Sequence, residues 1–118
     1  MTKLFGFSRA SRLRRRREFV GVEKQGRKMS SSHFIVFAMK QENQNSAKLG
    51  ITVSKRVGNA VTRNHVKRLV REVFRTNQAV LPAFMDTVVI AKARAKDIAF
   101  PVVAHELTRA WKALSEQL

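Results

Sequence analysis

The stretch from Asn59 to Thr76 constrains the fold more than any other part of the chain. Wound at 3.6 residues per turn, it places Val66, Leu69, Val70, Val73 and Phe74 on one stripe, the i, i+3, i+4, i+7, i+8 spacing of a helix buried along one side. Asn59, just ahead of it, is a residue type that caps helix N-termini. The opposite side carries Asn64, Lys67, Arg68, Arg71 and Arg75, with Arg63 at its shoulder. Such a helix must press its stripe on something apolar while its cationic row stays open. Flanking segments supply the apolar partner. Lys48 to Ser54 alternates, with Leu49, Ile51 and Val53 on one face and Gly50, Thr52 and Ser54 on the other. Asp86 to Lys92 (DTVVIAK) is a second strand, so the helix is predicted to cross between two strands of one sheet.

The remaining elements fit that frame. A helix is predicted from about Arg14 to Gln25, with Gly26 as its stop. His33 to Met39 (HFIVFAM) is a strand rich in aromatic and branched residues. Gln41 to Ser46 reads as the loop of a hairpin whose return strand is Lys48 to Ser54. A last helix begins near Pro101, with the stripe Val103, Leu107, Ala110, Trp111 and Leu114. The expectation is an α+β fold: a small two-layer sandwich, helix–strands–helix–strand–helix, with a mixed sheet. Residues 1–11 lack periodicity and are expected to be a mobile basic arm, with residues 12–118 forming a single domain. The aromatic strand is apolar on both faces, Phe34/Val36/Ala38 and Ile35/Phe37/Met39. Two explanations stand open for its second face: packing beneath the first helix, or a stacking surface for a ligand.

Charge narrows the function. Twenty-four Lys and Arg against eight Asp and Glu leave a net +16 in 118 residues, a balance suited to a polyanionic partner. A membrane surface is the rival polyanion, but no apolar run approaches the ~18–20 residues that cross a bilayer. The basic N-terminus lacks the apolar core of a secretory signal, although a Ser/Arg-rich start is shared with organellar transit peptides. With no cysteine, disulfide, thiol and Cys-ligated zinc chemistry are excluded, and the cytoplasm is the default compartment. From Arg63 to Arg75 only Glu72 interrupts the cations, so like charges at i,i+4 repel, which favours an anion-binding face over a merely solvated one. A second cluster is Arg12, Arg14, Arg15, Arg16 and Arg17, whose planar forks suit phosphate contact and stacking. Lys55, Arg56 and Asn59 form a third beside the N-terminus of the central helix. No catalytic constellation accompanies them. His33, His65 and His105 lack metal-ligand spacing, Asp86 and Asp97 have no acid partner in sequence, and Ser30 to Ser32 sit in no nucleophile motif. No catalytic or metal-binding residue is assigned.

The run Ser54 to Arg75, SKRVGNAVTRNHVKRLVREVFR, resembles the signature of the bacterial ribonuclease P protein family. The likeness extends from about Arg12 to Ala93, through Arg12-Leu13, Glu18-Phe19, the aromatic strand and the LGITVSK return strand. It implies a left-handed strand–helix–strand crossover, an exception to the usual hand. It further implies that Arg63, Asn64, Lys67, Arg68 and Arg71, supported by Lys55, Arg56 and Asn59, dock on the catalytic RNA. A cleft between the first helix and the sheet would hold the single-stranded 5′ leader of precursor tRNA, at Phe19, Ile35, Phe37, Thr52 and Ser54, with Phe37 beside the polar side of the return strand. Aromatics with cations suit sequence-tolerant single-strand binding. Arg12 and Arg14 to Arg17 are expected to add RNA contacts. One position departs from the family pattern: Glu23 stands where many members carry a second aromatic, and an anion there is expected to weaken the leader contact.

By this resemblance the RNA hydrolyses the phosphodiester with a divalent metal (Mg), the protein itself holds no cofactor, and one protein serves one RNA. Three rivals remain. A ribosomal-type structural RNA binder shares size, charge and possible fold; a helix-turn-helix DNA binder needs a second helix across a tight turn from Asn59–Thr76; a self-sufficient nuclease would cleave without RNA.

Overall fold

A computed structural model describes residues 11–118, and the expected arm therefore lies outside the described residues except for Ser11, which is buried. Helix α1 (Arg16–Gln25) is followed by strands β1 (Arg27–Ser30), β2 (Phe34–Lys40) and β3 (Lys48–Val53). Helix α2 (Ala60–Asn77), strand β4 (Met85–Ala91) and helix α3 (Phe100–Ser115) complete the chain, with single 3-10 turns at Gln78–Val80 and Ala93–Ala95.

The four strands lie in the order β1-β2-β4-β3. β4 is antiparallel to β2 and parallel to β3, so the sheet is mixed and β3–α2–β4 is a crossover between neighbours. This corrects the predicted hairpin. β2 and β3 do run in opposite directions, but β4 is inserted between them and takes the hydrogen bonds of both. The short strand β1 is not expected from the sequence. Its four residues, RKMS, are mostly exposed and have no alternation to mark them. Gly26 makes the tight passage from α1 into β1, since a Cβ there would lie 2.5 Å from the Val22 carbonyl oxygen and 2.6 Å from that of Ala38.

The main core lies between the sheet and the stripes of α2 and α3. Phe34, Val36, Met85 and Val89 from the strands meet Val66, Val70, Phe74, Leu107, Trp111 and Leu114, all fully buried. Phe74 and Trp111 meet edge-on with ring centroids 5.7 Å apart. The indole N–H donates to Thr87 Oγ1 (3.0 Å), and that hydroxyl donates to the Phe37 carbonyl (2.7 Å), so the one polar pair in this region is satisfied. Helix α1 lies on the other face, where Leu13, Val22 and Val88 form a smaller core with Phe19, Phe37, Met39 and Ile90 around it. Packing beneath the first helix is therefore part of the reason for the doubly apolar β2.

Candidate nucleic-acid interface

The loop into α2 is built by its own polar groups. Ser54 Oγ accepts from the Arg56 N–H (3.3 Å), the Ser54 carbonyl from Val57 (3.1 Å) and the Lys55 carbonyl from Gly58 (3.2 Å). Buried Val57 pins this turn, which leaves Lys55 and Arg56 exposed at its tip. Asn59 Oδ1 accepts from the Thr62 N–H at 2.9 Å, the expected cap. Arg63 Nε donates to the Gly58 carbonyl (3.2 Å), tying the helix back to the turn. Two of the expected RNA-contacting residues thus also have structural work: the Asn59 side-chain oxygen is engaged, and Arg63 has its Nε engaged but its terminal nitrogens in hand.

Along α2, Asn64 and Arg68 are exposed while Arg63, Lys67 and Arg71 are half-buried at the shoulder of the helix. Arg75, which the periodicity puts in the same row, is removed from it by a two-pronged pair with Glu72 (Nε–Oε1 3.1 Å, Nη2–Oε2 2.5 Å). That pairing holds the Glu72 carboxyl below its ordinary value. The other α2 cations have no carboxylate within ion-pair distance among the described residues. Like charge is gathered here at a cost. Burial, and then the nearby Arg12 guanidinium, lower the affinity of Arg71 for its proton.

Arg12 reaches α2 because its segment is stitched to the free edge of β3. Arg12 bridges to Leu49 in parallel, the Leu13 N–H donates to the Leu49 carbonyl (2.9 Å), and Gln78 donates to both Ser11 Oγ (2.8 Å) and the Ala47 carbonyl (3.1 Å). A small hollow of about 110 Å³ at this edge is lined by Arg12, Phe19, Lys67 and Arg71 among others. The chain then turns into α1. Glu18 Oε1 accepts from the backbone N–H of both Arg14 and Arg15 at 2.9 Å, and these two bonds, Arg15 first, hold its carboxyl below the ordinary range. Arg14, Arg15, Arg16 and Arg17 are consequently displayed on a fixed turn, all four exposed.

Between α1 and the sheet lies a cleft of about 410 Å³, lined by Arg14, Arg16, Phe19, Val20, Glu23, Thr52 and Ile90. The cross-strand register sets its floor. Ser30, Ile35, Ile90 and Thr52 form one row across this face, and Lys28, Phe37, Val88 and Gly50 the next. Phe19 lies over Gly50, whose missing side chain leaves room for the ring: a Cβ there would be 2.6 Å and 2.7 Å from two ring carbons. Of the five residues expected in the cleft, Phe19 and Thr52 line it. Ile35 shares their face but stands on β2, beyond β4. Phe37 also stands on β2, half-buried against the Leu13–Val22–Val88 cluster, so it is not beside β3 as expected. Ser54 is exposed past the end of β3, where its hydroxyl serves the turn. Sequence reasoning misses Ile90 and Val20 because their place depends on β4 lying inside the sheet, a pairing no local pattern announces. Arg14 and Arg16 belong to the arginine tract by sequence and to the cleft by structure.

Elsewhere two carboxylates, Glu106 and Asp86, have structural partners. His33 Nδ1 lies 2.5 Å from Glu106 Oε2, and Ser31 Oγ donates to Oε1 of the same carboxylate. Burial pushes Glu106 up, but the bonds from Ser31 and His33 together outweigh it and hold the group low. Asp86 is buried on the α1 face, pushed up by desolvation despite a 3.0 Å bond from Gln44 Nε2. Among the described residues no cluster of His, Asp or Glu is arranged to hold a metal ion, and no helix is long and apolar enough to cross a membrane.

The ribonuclease P family model matches residues 7–115. The ribonuclease P protein component of Shouchella clausii is 42% identical over 101 residues, covering 86% of this chain and 83% of that protein. The corresponding protein of Desulfatibacillum aliphaticivorans is 41% identical, covering 95% of this chain and 94% of its own length. The solved structure of the Staphylococcus aureus RNase P protein superposes with a TM-score of 0.80 at 32% identity, covering 87% of this chain and 94% of that one. A cationic helix, an arginine-bearing turn and a cleft that sets an aromatic ring beside charged side chains thus occur in a chain that, by family model, relatives and fold together, belongs to the ribonuclease P protein family.

Proposed function

We propose that this chain binds the ribonuclease P RNA through α2 and its preceding turn, and holds the 5′ leader of precursor tRNA in the cleft under α1. Its family makes it the protein component of an endoribonuclease that processes tRNA, partnered with the ribonuclease P RNA. The finer assignment rests chiefly on one observation. Among the described residues Arg63, Lys67, Arg68 and Arg71 are left without carboxylate partners, on a helix that a counter-anion would relieve. Lys55, Arg56, Asn59 and Asn64 extend this face around the helix N-terminus, where the dipole favours phosphate.

On the opposite side of β3, Phe19 offers a stacking ring and Arg14 and Arg16 offer phosphate partners at one rim, the combination that suits an unpaired strand. Thr52 belongs to the same site, with Ile35, Phe37 and Ser54 around it and Arg12, Arg15 and Arg17 as further RNA contacts. The protein in this reading neutralises phosphate crowding and fixes the leader, while the RNA with a bound divalent metal (Mg) carries out hydrolysis, one protein to one RNA. Reconstitution tests it. The protein is incubated with a bacterial ribonuclease P RNA and precursor tRNA in low magnesium, with protein-alone and RNA-alone controls. Leader release that requires both components supports the assignment; RNA binding without any rescue of leader release would move the ribosomal-type role to the front, and release by protein alone would make it a nuclease.

A further inference from the structure

Glu23 is an unusual group to find in the cleft. It is the one acid among the seven lining residues, it is exposed, and among the described residues it enters no ion pair. It stands one helical turn after Phe19, so both side chains project from the same side of α1 into the cleft that Ile90 and Thr52 also line. Arg14 and Arg16 line the cleft as well and precede Phe19 in the chain. At about 410 Å³ the cleft falls within the ~300–1,000 Å³ range of small-molecule sites.

These groups sort the parts of a nucleotide. Phosphate oxygens are drawn to Arg14 and Arg16 and repelled by Glu23. A base has a π-face for Phe19 and an edge to present beyond it. An ionised carboxylate only accepts hydrogen bonds, through two oxygens side by side. The Watson–Crick edge of guanine is the one base edge with two adjacent donors, N1–H and N2–H2, so it alone satisfies both oxygens. Adenine and cytosine each set an acceptor nitrogen beside their amino group, and uracil flanks its single N3–H with two carbonyls. Unpaired RNA is read on that edge. We propose that Glu23 is a specificity-determining residue which selects guanine at one position of the single strand held beneath α1. The anion at this position weakens contact with a phosphate but not with a base that turns its donors toward it. The inference rests on the leader-cleft reading above and adds to it a base preference.

The test uses the reconstituted holoenzyme and a pool of precursor tRNAs with randomised leaders, cleaved in competition. Relative kcat/KM values are read by sequencing the remaining substrate. Each ratio compares leaders within one pot, so a smaller folded fraction cancels. The wild-type enzyme is expected to favour guanine over uracil about tenfold at one leader position. In Glu23→Gln the side chain offers one acceptor and one donor, a pair that every base can meet on its Watson–Crick edge, so the preference for guanine at that position should be lost. A purely structural role for Glu23 would not move it. A wild-type enzyme indifferent to the base at every leader position overturns the inference, as does a guanine preference that persists in Glu23→Gln. Trimming the leader to one nucleotide separates the two levels. If trimming costs affinity while no position shows the preference, the cleft reading stands and the role of Glu23 falls; if trimming costs nothing, both fall.

Discussion

The contact between Phe19 and Gly50 allows a stability prediction that does not depend on any RNA. Gly50 is buried in β3, and a methyl group added to it would sit 2.6 Å and 2.7 Å from two carbons of the Phe19 ring. Carbon atoms rest at about 3.5–4.0 Å, so the ring must retreat by roughly 1 Å. The strand cannot yield easily, being hydrogen-bonded to β4 along its length and held at its other edge by the Arg12–Leu49 bridge. Overpacking of this kind costs about 1–3 kcal/mol. Against it, replacing glycine in a strand recovers about 0.5–1 kcal/mol of backbone entropy. Gly50→Ala should therefore destabilise the domain by up to about 2.5 kcal/mol in urea unfolding, with about 1 kcal/mol at the centre of the range. The cause is checked by a double-mutant cycle. In a Phe19→Ala background the ring is gone, the methyl group has space, and Gly50→Ala should become neutral or stabilising. An equal cost in both backgrounds would refute the argument, because it would place the strain in the strand itself rather than in the ring above it.

Other consequences can be measured separately. Single alanine replacements of Lys67, Arg68 and Arg71 should each weaken RNA binding and flatten the plot of log affinity against log salt by about 0.7–0.9 for each phosphate no longer neutralised, while Arg75→Ala, whose charge is already met by Glu72, should do less. The Glu106 carboxyl is held low in the fold, so its contribution to stability is present above its ordinary value of 4.5 and is lost as pH falls through the lower folded value. Thermal unfolding of Glu106→Gln across this range should show a flatter acid limb, with the wild type ahead at neutral pH; identical limbs would mean that the Ser31–His33–Glu106 cluster contributes nothing. Asp86 has the opposite sign. Its proton affinity is raised by burial, so its cost is absent below its ordinary value of 3.8 and appears as pH rises through the raised one. Asp86→Asn keeps an acceptor for Gln44, and it should raise the urea midpoint at pH 7 with no gain in strong acid.

How much of this was legible in the sequence depended on whether the deciding contact was local. The α2 stripe and its cap are local, and the predicted helix from Asn59 to Thr76 differs from the observed one by a single residue at either end. The β2, β3 and β4 strands were legible for the same reason, through branched residues and alternation. Their neighbours were not. A polar six-residue loop between two strands favours a hairpin, and only packing over α2 decides that β4 enters between them. That insertion moved Phe37 two strands from β3 and brought Ile90 to the cleft instead. The α2 cations were legible as a row, but the Glu72–Arg75 pair and the use of Arg63 Nε to hold Gly58 depend on rotamers that periodicity does not fix. For α1 the predicted start at Arg14 proved two residues early. Arg14 and Arg15 give their N–H groups to Glu18 rather than entering the helix.

The position of β4 also bears on the order in which the molecule can assemble. The strand lying between β2 and β3 is the last of the four along the chain, so as the polypeptide leaves a ribosome β2 and β3 wait without their common partner through all of α2. Until residues 85–91 emerge, the α2 stripe has no completed sheet to cover, and the cleft floor lacks Ile90. The pairings that close the sheet span long stretches of sequence, the kind of contact that slows folding. A nascent chain would thus carry its cationic segments for some time before they are fixed in relation to one another. Ordered presentation of α2 and of the α1 turn becomes available as one late event, tied to completion of the domain.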